Sequence, residues 1–242
     1  MKLVLFEIFN RSFGMLVRAV QKSLYFPPQS TGVHHLVNKK ALEESADYAI
    51  RNFTHALIFN SREELWSFVV DRSSILKSRE GVVAEFGVWK GNSINFFAKK
   101  CPNARLYGFD SFEGLEEDWY GYKHPHLKGH FSLDGNLPTV ESNVVLRKGW
   151  FEDTVPEFVS EITGTQIHIL HMDADTYKPT SYVLDSLANH IDSGTIIIFD
   201  EYFGYPNYQL HEFKAFKEFV EKFNVKYKYI GYTEEQVAIE IQ

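Results

Sequence analysis

One cysteine, three methionines and no long apolar run set the outer limits of this 242-residue sequence. A lone Cys101 cannot close an intrachain disulfide or build a thiolate metal cluster, which points to a reducing, cytoplasmic setting. The ~18 consecutive apolar residues that a membrane span requires occur nowhere. Basic charge is also scarce, because 25 Lys and Arg face 32 Asp and Glu, for a formal net charge of −7. Nucleic-acid binding rests on a basic surface that neutralises phosphates, so no nucleic-acid partner is expected. Internal repeats and low-complexity tracts are absent as well.

What is abundant is aromatic surface and buried-strand patterning. Aromatic residues make up 16% of the chain, with 21 Phe and 13 Tyr, enough to furnish aromatic pockets or interfaces. Near the N-terminus, Leu5, Ile8, Phe9, Phe13, Leu16, Val17 and Val20 recur at helical spacing. This amphipathic stripe needs a partner surface and predicts a homodimer or higher homo-oligomer. A breaker cluster over 26–32, with Pro27, Pro28 and Gly32, ends it. Helical patterns follow at about 40–57 and 61–78, the second with Ser61 as N-cap and Glu64 three residues on. From residue 82 short apolar runs alternate with helical segments: VVAEF, RLYGF, NVVLR, IHILHM and TIIIF. Such runs are buried on both faces, the mark of a parallel sheet with helices on either side. KYKYIGY and QVAIEI then read as two closing antiparallel strands. The expectation is a doubly wound α/β fold with a seven-stranded, mostly parallel sheet. A helical extension over 1–80 precedes the catalytic domain, 81–242.

The first of these strands runs into Glu85-Phe86-Gly87-Val88-Trp89-Lys90-Gly91-Asn92-Ser93. A glycine turn at the carboxyl edge of a parallel sheet lets backbone approach a ligand closely. Trp89 stands where the dinucleotide fingerprint needs its middle glycine, which argues against NAD. Glu85 is placed to balance the cationic amino-acid part of S-adenosylmethionine. About two dozen residues on, Asp110 at the end of the second strand is placed to accept from ribose hydroxyls. The third strand ends at Gly149-Trp150-Phe151, an aromatic surface for adenine or for packing under the sheet. The candidate cofactor set is Glu85, Phe86, Gly87, Val88, Gly91, Ser93, Asp110, Ser111, Phe112, Gly149, Trp150, Phe151 and Asp173.

The fourth strand delivers His171-Met172-Asp173-Ala174-Asp175, and the fifth ends at Asp200-Glu201. Carboxylates converging at one sheet edge call for a cation, and hard oxygen ligands suit Mg²⁺. The expected ligands are Asp173, Asp200 and Glu201, with Asp175 in reserve. Asp173 is the first candidate for general base and His171 the second, although a histidine inside an apolar strand also fits a satisfied core position. Residues 111–140 form one long irregular segment. Its Trp119, Tyr120, Tyr122 and Phe131 offer faces for sugar rings, and His124, His126 and His130 offer hydrogen bonds.

Taken together, EFGVWKG, GFDSFEGL, KGWFEDTVP, HMDADTYKPT and IIIFDEYF resemble the macrocin O-methyltransferase family of metal-dependent sugar O-methyltransferases, over about residues 82–203. The resemblance implies an S-adenosylmethionine-dependent O-methyltransferase acting on a sugar or glycoside hydroxyl. It also implies that Asp173 both holds the metal and serves as general base, with Asp200 and Glu201 on the other two metal positions. Glu201 departs from the family, which uses aspartate there. Two other readings stay open on the residues alone: a nucleotide-sugar glycosyltransferase using Asp173 and Asp175 as a DxD pair, and a non-catalytic interaction module.

Overall fold

The computed structural model describes residues 32–76, 81–121 and 124–242. The apolar stripe from Leu5 to Val20, with the oligomer inferred from it, and Tyr122 lie outside the described residues. Helix α1 (Val33–Asn52) starts after Gly32 and closes with the Phe53 amide on Ala49 O. It begins and ends earlier than the apolar periodicity suggested. Helix α2 (Arg62–Arg72) has the expected N-cap: Ser61 Oγ accepts from the Glu64 amide at 3.2 Å. Glu64 reaches back to the Asn60 amide at 3.0 Å, so two free helix donors are satisfied. A short 3₁₀ turn over Ser74–Leu76 follows it.

The sheet strands are β1 (Leu57–Ile58), β2 (Val82–Phe86), β3 (Arg105–Asp110), β4 (Val144–Lys148), β5 (Ile167–Met172), β6 (Ile196–Phe199), β7 (Tyr227–Tyr232) and β8 (Val237–Ile241). Their order is β1-β7-β8-β6-β5-β2-β3-β4. Chain direction is parallel from β6 through β5, β2 and β3 to β4, and β8 runs antiparallel between β6 and β7. The doubly wound α/β fold is therefore as expected, with one strand more than seven. The eighth, β1, is a two-residue edge strand parallel to β7. Two residues carry no periodicity, so no sequence pattern announces it.

Helices α3 (Asn92–Lys100), α4 (Phe151–Glu161), α5 (Tyr177–Ser186) and α6 (Glu212–Phe223) complete the layers. On one face Val83, Ile169 and Ile198 pack against Leu65, Trp66 and Val69 of α2 and Ile94 and Phe97 of α3. On the other, Ala84, Phe86, Leu170 and Phe199 meet Phe158 of α4, Val183 and Leu184 of α5 and Phe216 of α6. Both faces of the central strands are covered, which explains their unbroken apolar sequence. Part of the chain assigned to the N-terminal extension thus contributes β1 to the sheet and α2 to one layer. Among the described residues no helix is long and apolar enough to cross a membrane.

Candidate active site

The carboxyl ends of β2, β3, β4, β5 and β6 lie side by side, and a cavity of about 320 Å³ opens over them. Gly87 makes this convergence possible. Its φ is +94°, and a Cβ there would sit 1.7 Å from the Asp173 carbonyl oxygen. No side chain fits between the ends of β2 and β5, where the Asp173 amide also donates to Phe86 O at 2.8 Å. Trp89, Phe112 and Asp175 also have positive φ, so backbone strain gathers around this cavity.

Asp110 organises the glycine turn. Its Oδ2 accepts from the amides of Val88 at 2.9 Å and Trp89 at 2.7 Å, and its Oδ1 accepts from the Phe112 amide at 2.6 Å. Gly91, in left-handed conformation, starts α3. Gly87, Asp110, Ser111, Gly149, Trp150, Phe151 and Asp173 all line the cavity. The other candidates for cofactor contact stand behind this wall. Phe86 is fully buried and stacks on Phe109 at 4.4 Å, while Val88 and Phe112 are buried in the opposite layer. Glu85 is also enclosed, with Oε1 accepting from Ser93 Oγ at 3.0 Å and Oε2 2.9 Å from His171 Nδ1. Neither Glu85 nor Ser93 lines the cavity. The cause is strand alternation, which points Glu85 to the α3 face beneath the turn.

His171 shares that buried position. Its ring lies between Trp66 and Phe97, and its Nε2 is 3.7 Å from Asp200 Oδ1, an ion-pair rather than a hydrogen-bond separation. Burial works against its protonation, yet Asp200 and Glu85 on either side outweigh burial and raise its pKa to about 10. With Nδ1 against Glu85 and Nε2 facing Asp200 without a hydrogen bond, His171 links two carboxylates.

The acids divide in the same way. Burial raises the pKa values of Asp173, Asp175 and Glu201 well above the ordinary carboxylate range, and their mutual repulsion and that of Asp200 add to it. For Asp200 burial also works upward, but the facing His171, helped by Arg62, takes its pKa below the usual aspartate value. Ligand atoms come within 4.8 Å of one another in two sets, His171 with Asp173 and Asp200, and Asp173 with Asp175 and Glu201. The sequence had grouped Asp173, Asp200 and Glu201, whereas the geometry divides them between two sets joined at Asp173. Of the two, the all-oxygen set is the one suited to a hard cation. Glu201 Oε2 is buried without a hydrogen-bond partner, a free ligand atom in that set.

Three participants escaped the sequence reading. Glu212, at the start of α6 and fully buried, accepts from the Ala174 amide at 3.3 Å and the Glu201 amide at 3.1 Å, clamping the ends of β5 and β6 together. An acid in the first turn of an amphipathic helix ordinarily reads as a dipole partner. Arg62 of α2 lines the cavity from a segment that carried no motif. Gln236 donates to Asp200 from the β7–β8 turn. Of the long 111–140 segment, Gly114, Leu115, Glu116, Glu117 and Phe131 reach the cavity. Trp119 is buried in the core, Tyr120 is exposed, and the His126 ring stacks on Phe131 at 5.2 Å, so most of these aromatics shape the segment itself.

Residues 84–202 match a family model described as a methyltransferase domain. Over that stretch, just under half of its length, the chain is similar to methyltransferase domains. Among its relatives, the 8-demethyl-8-(2,3-dimethoxy-alpha-L-rhamnosyl)-tetracenomycin-C 4'-O-methyltransferase of Streptomyces olivaceus is 28% identical over 145 residues, 50% of this chain. The match spans about half of that relative, 53% of its length. The mycinamicin III 3''-O-methyltransferase of Micromonospora griseorubida is 26% identical over 78% of this chain and 81% of the relative. The solved structure of CalS11, a calicheamicin methyltransferase, shares the fold with a TM-score of 0.62. It is 22% identical, over 88% of this chain and 93% of that one. The resemblance to sugar O-methyltransferases drawn from the five motifs is borne out by these matches.

Proposed function

We propose that the protein is an S-adenosylmethionine-dependent, Mg²⁺-assisted O-methyltransferase whose acceptor is a hydroxyl of a sugar or glycoside. The observation that carries this is the cavity over β2–β6, with the Gly87 turn, Asp110 and Gly149–Phe151 on one side and Asp173, Asp175, Asp200 and Glu201 on the other. The methyltransferase domain supports S-adenosylmethionine as donor. The names of the two relatives, each methylating a hydroxyl of a glycosylated natural product, support the acceptor class.

In the reaction the acceptor oxygen forms a bond to the methyl carbon as the sulfur–methyl bond breaks, leaving S-adenosylhomocysteine. The hydroxyl proton passes to Asp173, a half-buried carboxylate that lines the cavity and that a bound cation would keep ionised. Gly87 holds Asp173 beside the donor seat with no intervening side chain. In-line displacement depends on such positioning above all. Asp173, Asp175 and Glu201 would hold the cation. A bound Mg²⁺ lowers the pKa of a coordinated hydroxyl and fixes its direction.

Transfer of labelled methyl from S-adenosylmethionine to a panel of glycosides, read by mass spectrometry with Mg²⁺ and with EDTA, tests the proposal. Methylated glycoside with Mg²⁺ and none in chelator is the expected result. Full activity in chelator would remove the metal from the reading, and absence of any methylated sugar would remove the acceptor class.

A further inference from the structure

A second cavity, about 260 Å³, adjoins the first, and Arg62, Asp200 and Glu201 line both. Its other walls are Asn60 and Ser61, at the approach to α2, and the β7–β8 turn from Thr233 to Gln236. Thr233 shapes that turn: its amide donates to Gln236 O at 2.9 Å, and its Oγ1 accepts the Gln236 amide at 3.1 Å. Gln236 is only 4% exposed, with its Nε2 given to Asp200 Oδ1. Charge fixes this orientation, since the reversed amide would set its carbonyl against a carboxylate. The remaining oxygen, Gln236 Oε1, is buried with no hydrogen-bond partner, and so is Glu201 Oε2 in the shared wall. Buried acceptors are ordinarily paired; the Glu201 atom is the one offered to a cation, so Gln236 Oε1 is the acceptor that calls for a ligand that donates. The lining is also one-sided in charge: Asp200, Glu201, Glu234 and Glu235 stand against the guanidinium of Arg62.

We infer that this second cavity seats the acceptor sugar ring and selects a neutral or amino-bearing sugar over one carrying a carboxylate or phosphate. The inference rests on the sugar O-methyltransferase reading above. A ring hydroxyl or an ammonium group donates to Gln236 Oε1, beside the acidic wall of Glu234 and Glu235. The shared wall then brings a neighbouring hydroxyl towards Asp173 and the donor cavity. At about 260 Å³ the cavity falls just below the ~300–1,000 Å³ of pockets for drug-sized ligands, so it fits one ring rather than a whole glycoside.

Three isosteric probes test this: methyl glucosaminide, methyl glucoside and methyl glucuronide. Their affinities are measured by NMR titration at mildly acidic pH on the full chain with Mg²⁺ and saturating S-adenosylhomocysteine. The expected order is glucosaminide, then glucoside, then glucuronide, separated by roughly two- to fivefold per step, as for partly exposed charge pairs. In Glu234→Lys, an exposed position that leaves the fold intact, the order flattens or reverses. Equal affinities, tighter binding of the glucuronide, an order untouched by Glu234→Lys, or no binding by any probe while S-adenosylhomocysteine is held would each overturn the subsite. Failure to hold S-adenosylhomocysteine would instead overturn the methyltransferase reading, and the subsite would fall with it.

Discussion

The two sides of the cavity are built on opposite principles. At the ends of β2 and β3 the polar groups complete one another: Asp110 takes three backbone amides and Gly149 donates back to Asp110 O at 3.0 Å. At the ends of β5 and β6 they do not. Asp175, Glu201 and Glu212 are buried beside the half-buried Asp173, all four with raised pKa values, and Glu201 keeps an oxygen without a partner. A finished site holds a ligand by shape and backbone donors, whereas an unfinished one holds stored repulsion that a cation or proton relieves. The two sides of the cavity are thus distinguished by how fully their own polar groups satisfy one another.

Substitution on the unfinished side should cost reaction rather than folding. For Asp173→Asn the expected loss in kcat/KM is about 10²–10⁴-fold, the usual contribution of a positioned base. Its melting temperature should stay at or above that of the parent, because a buried repelling charge is gone. A variant equally active but less stable would erase the contrast. On the finished side the two effects should travel together. Asp110→Ala leaves the amides of Val88, Trp89 and Phe112 without their acceptor. Calorimetry should find S-adenosylhomocysteine bound about 10- to 100-fold more weakly, from ~1.5–3 kcal/mol of charged hydrogen bonding, with a matching fall in denaturant stability.

Glu212 tests whether a single acid can belong to both sides. Glu212→Ala removes repulsion but strands the Ala174 and Glu201 amides, and the stranded donors should dominate. Urea unfolding should show a loss of about 1–3 kcal/mol. A gain in stability would mean that repulsion outweighs the clamp.

The smallest expected effect is on pH dependence. Asp173, Asp175, Glu201 and Glu212 have folded pKa values above their unfolded ones, so their favourable contribution is complete below the ordinary carboxylate pKa and drains away as pH rises through the folded values. His171 adds in the same direction, its contribution lost as pH climbs from its ordinary value of 6.5 through about 10. The lowered pKa of Asp200 matters only in acid, where stability falls as pH drops through it. Without divalent ions the melting temperature should therefore fall between mildly acidic and mildly alkaline pH, by at least the ~2–4 °C that 1 kcal/mol produces in a domain of this size. Mg²⁺ should suppress the fall, and a melting temperature that rises with pH would contradict the buried acidic side.

The sequence made the sheet legible because five apolar runs with turn signals between them leave few other folds open. Asp110, Asp173, Asp200 and Glu201 were legible too, since each ends a strand and strand ends gather at one edge. Glu85 and His171 read as site residues by the same reasoning, yet strand alternation sends them to the buried face. Arg62 and Gln236 were invisible because each reaches the site from an element remote in sequence, and Glu212, though only eleven residues past Glu201, because an acid in a helix's first turn reads as a dipole partner. The missed edge strand Leu57–Ile58 is recorded only in its pairing with Gly231 and Tyr232.

Gly87 turns the junction of β2 and β5 into a seam of zero width. With the Asp173 carbonyl where its side chain would be, the glycine turn and the backbone of Asp173 are gauged against each other by the sheet itself, and no side chain can be inserted between them. On the function proposed above, selection among acceptors falls to the replaceable walls supplied by Arg62 and the β7–β8 turn.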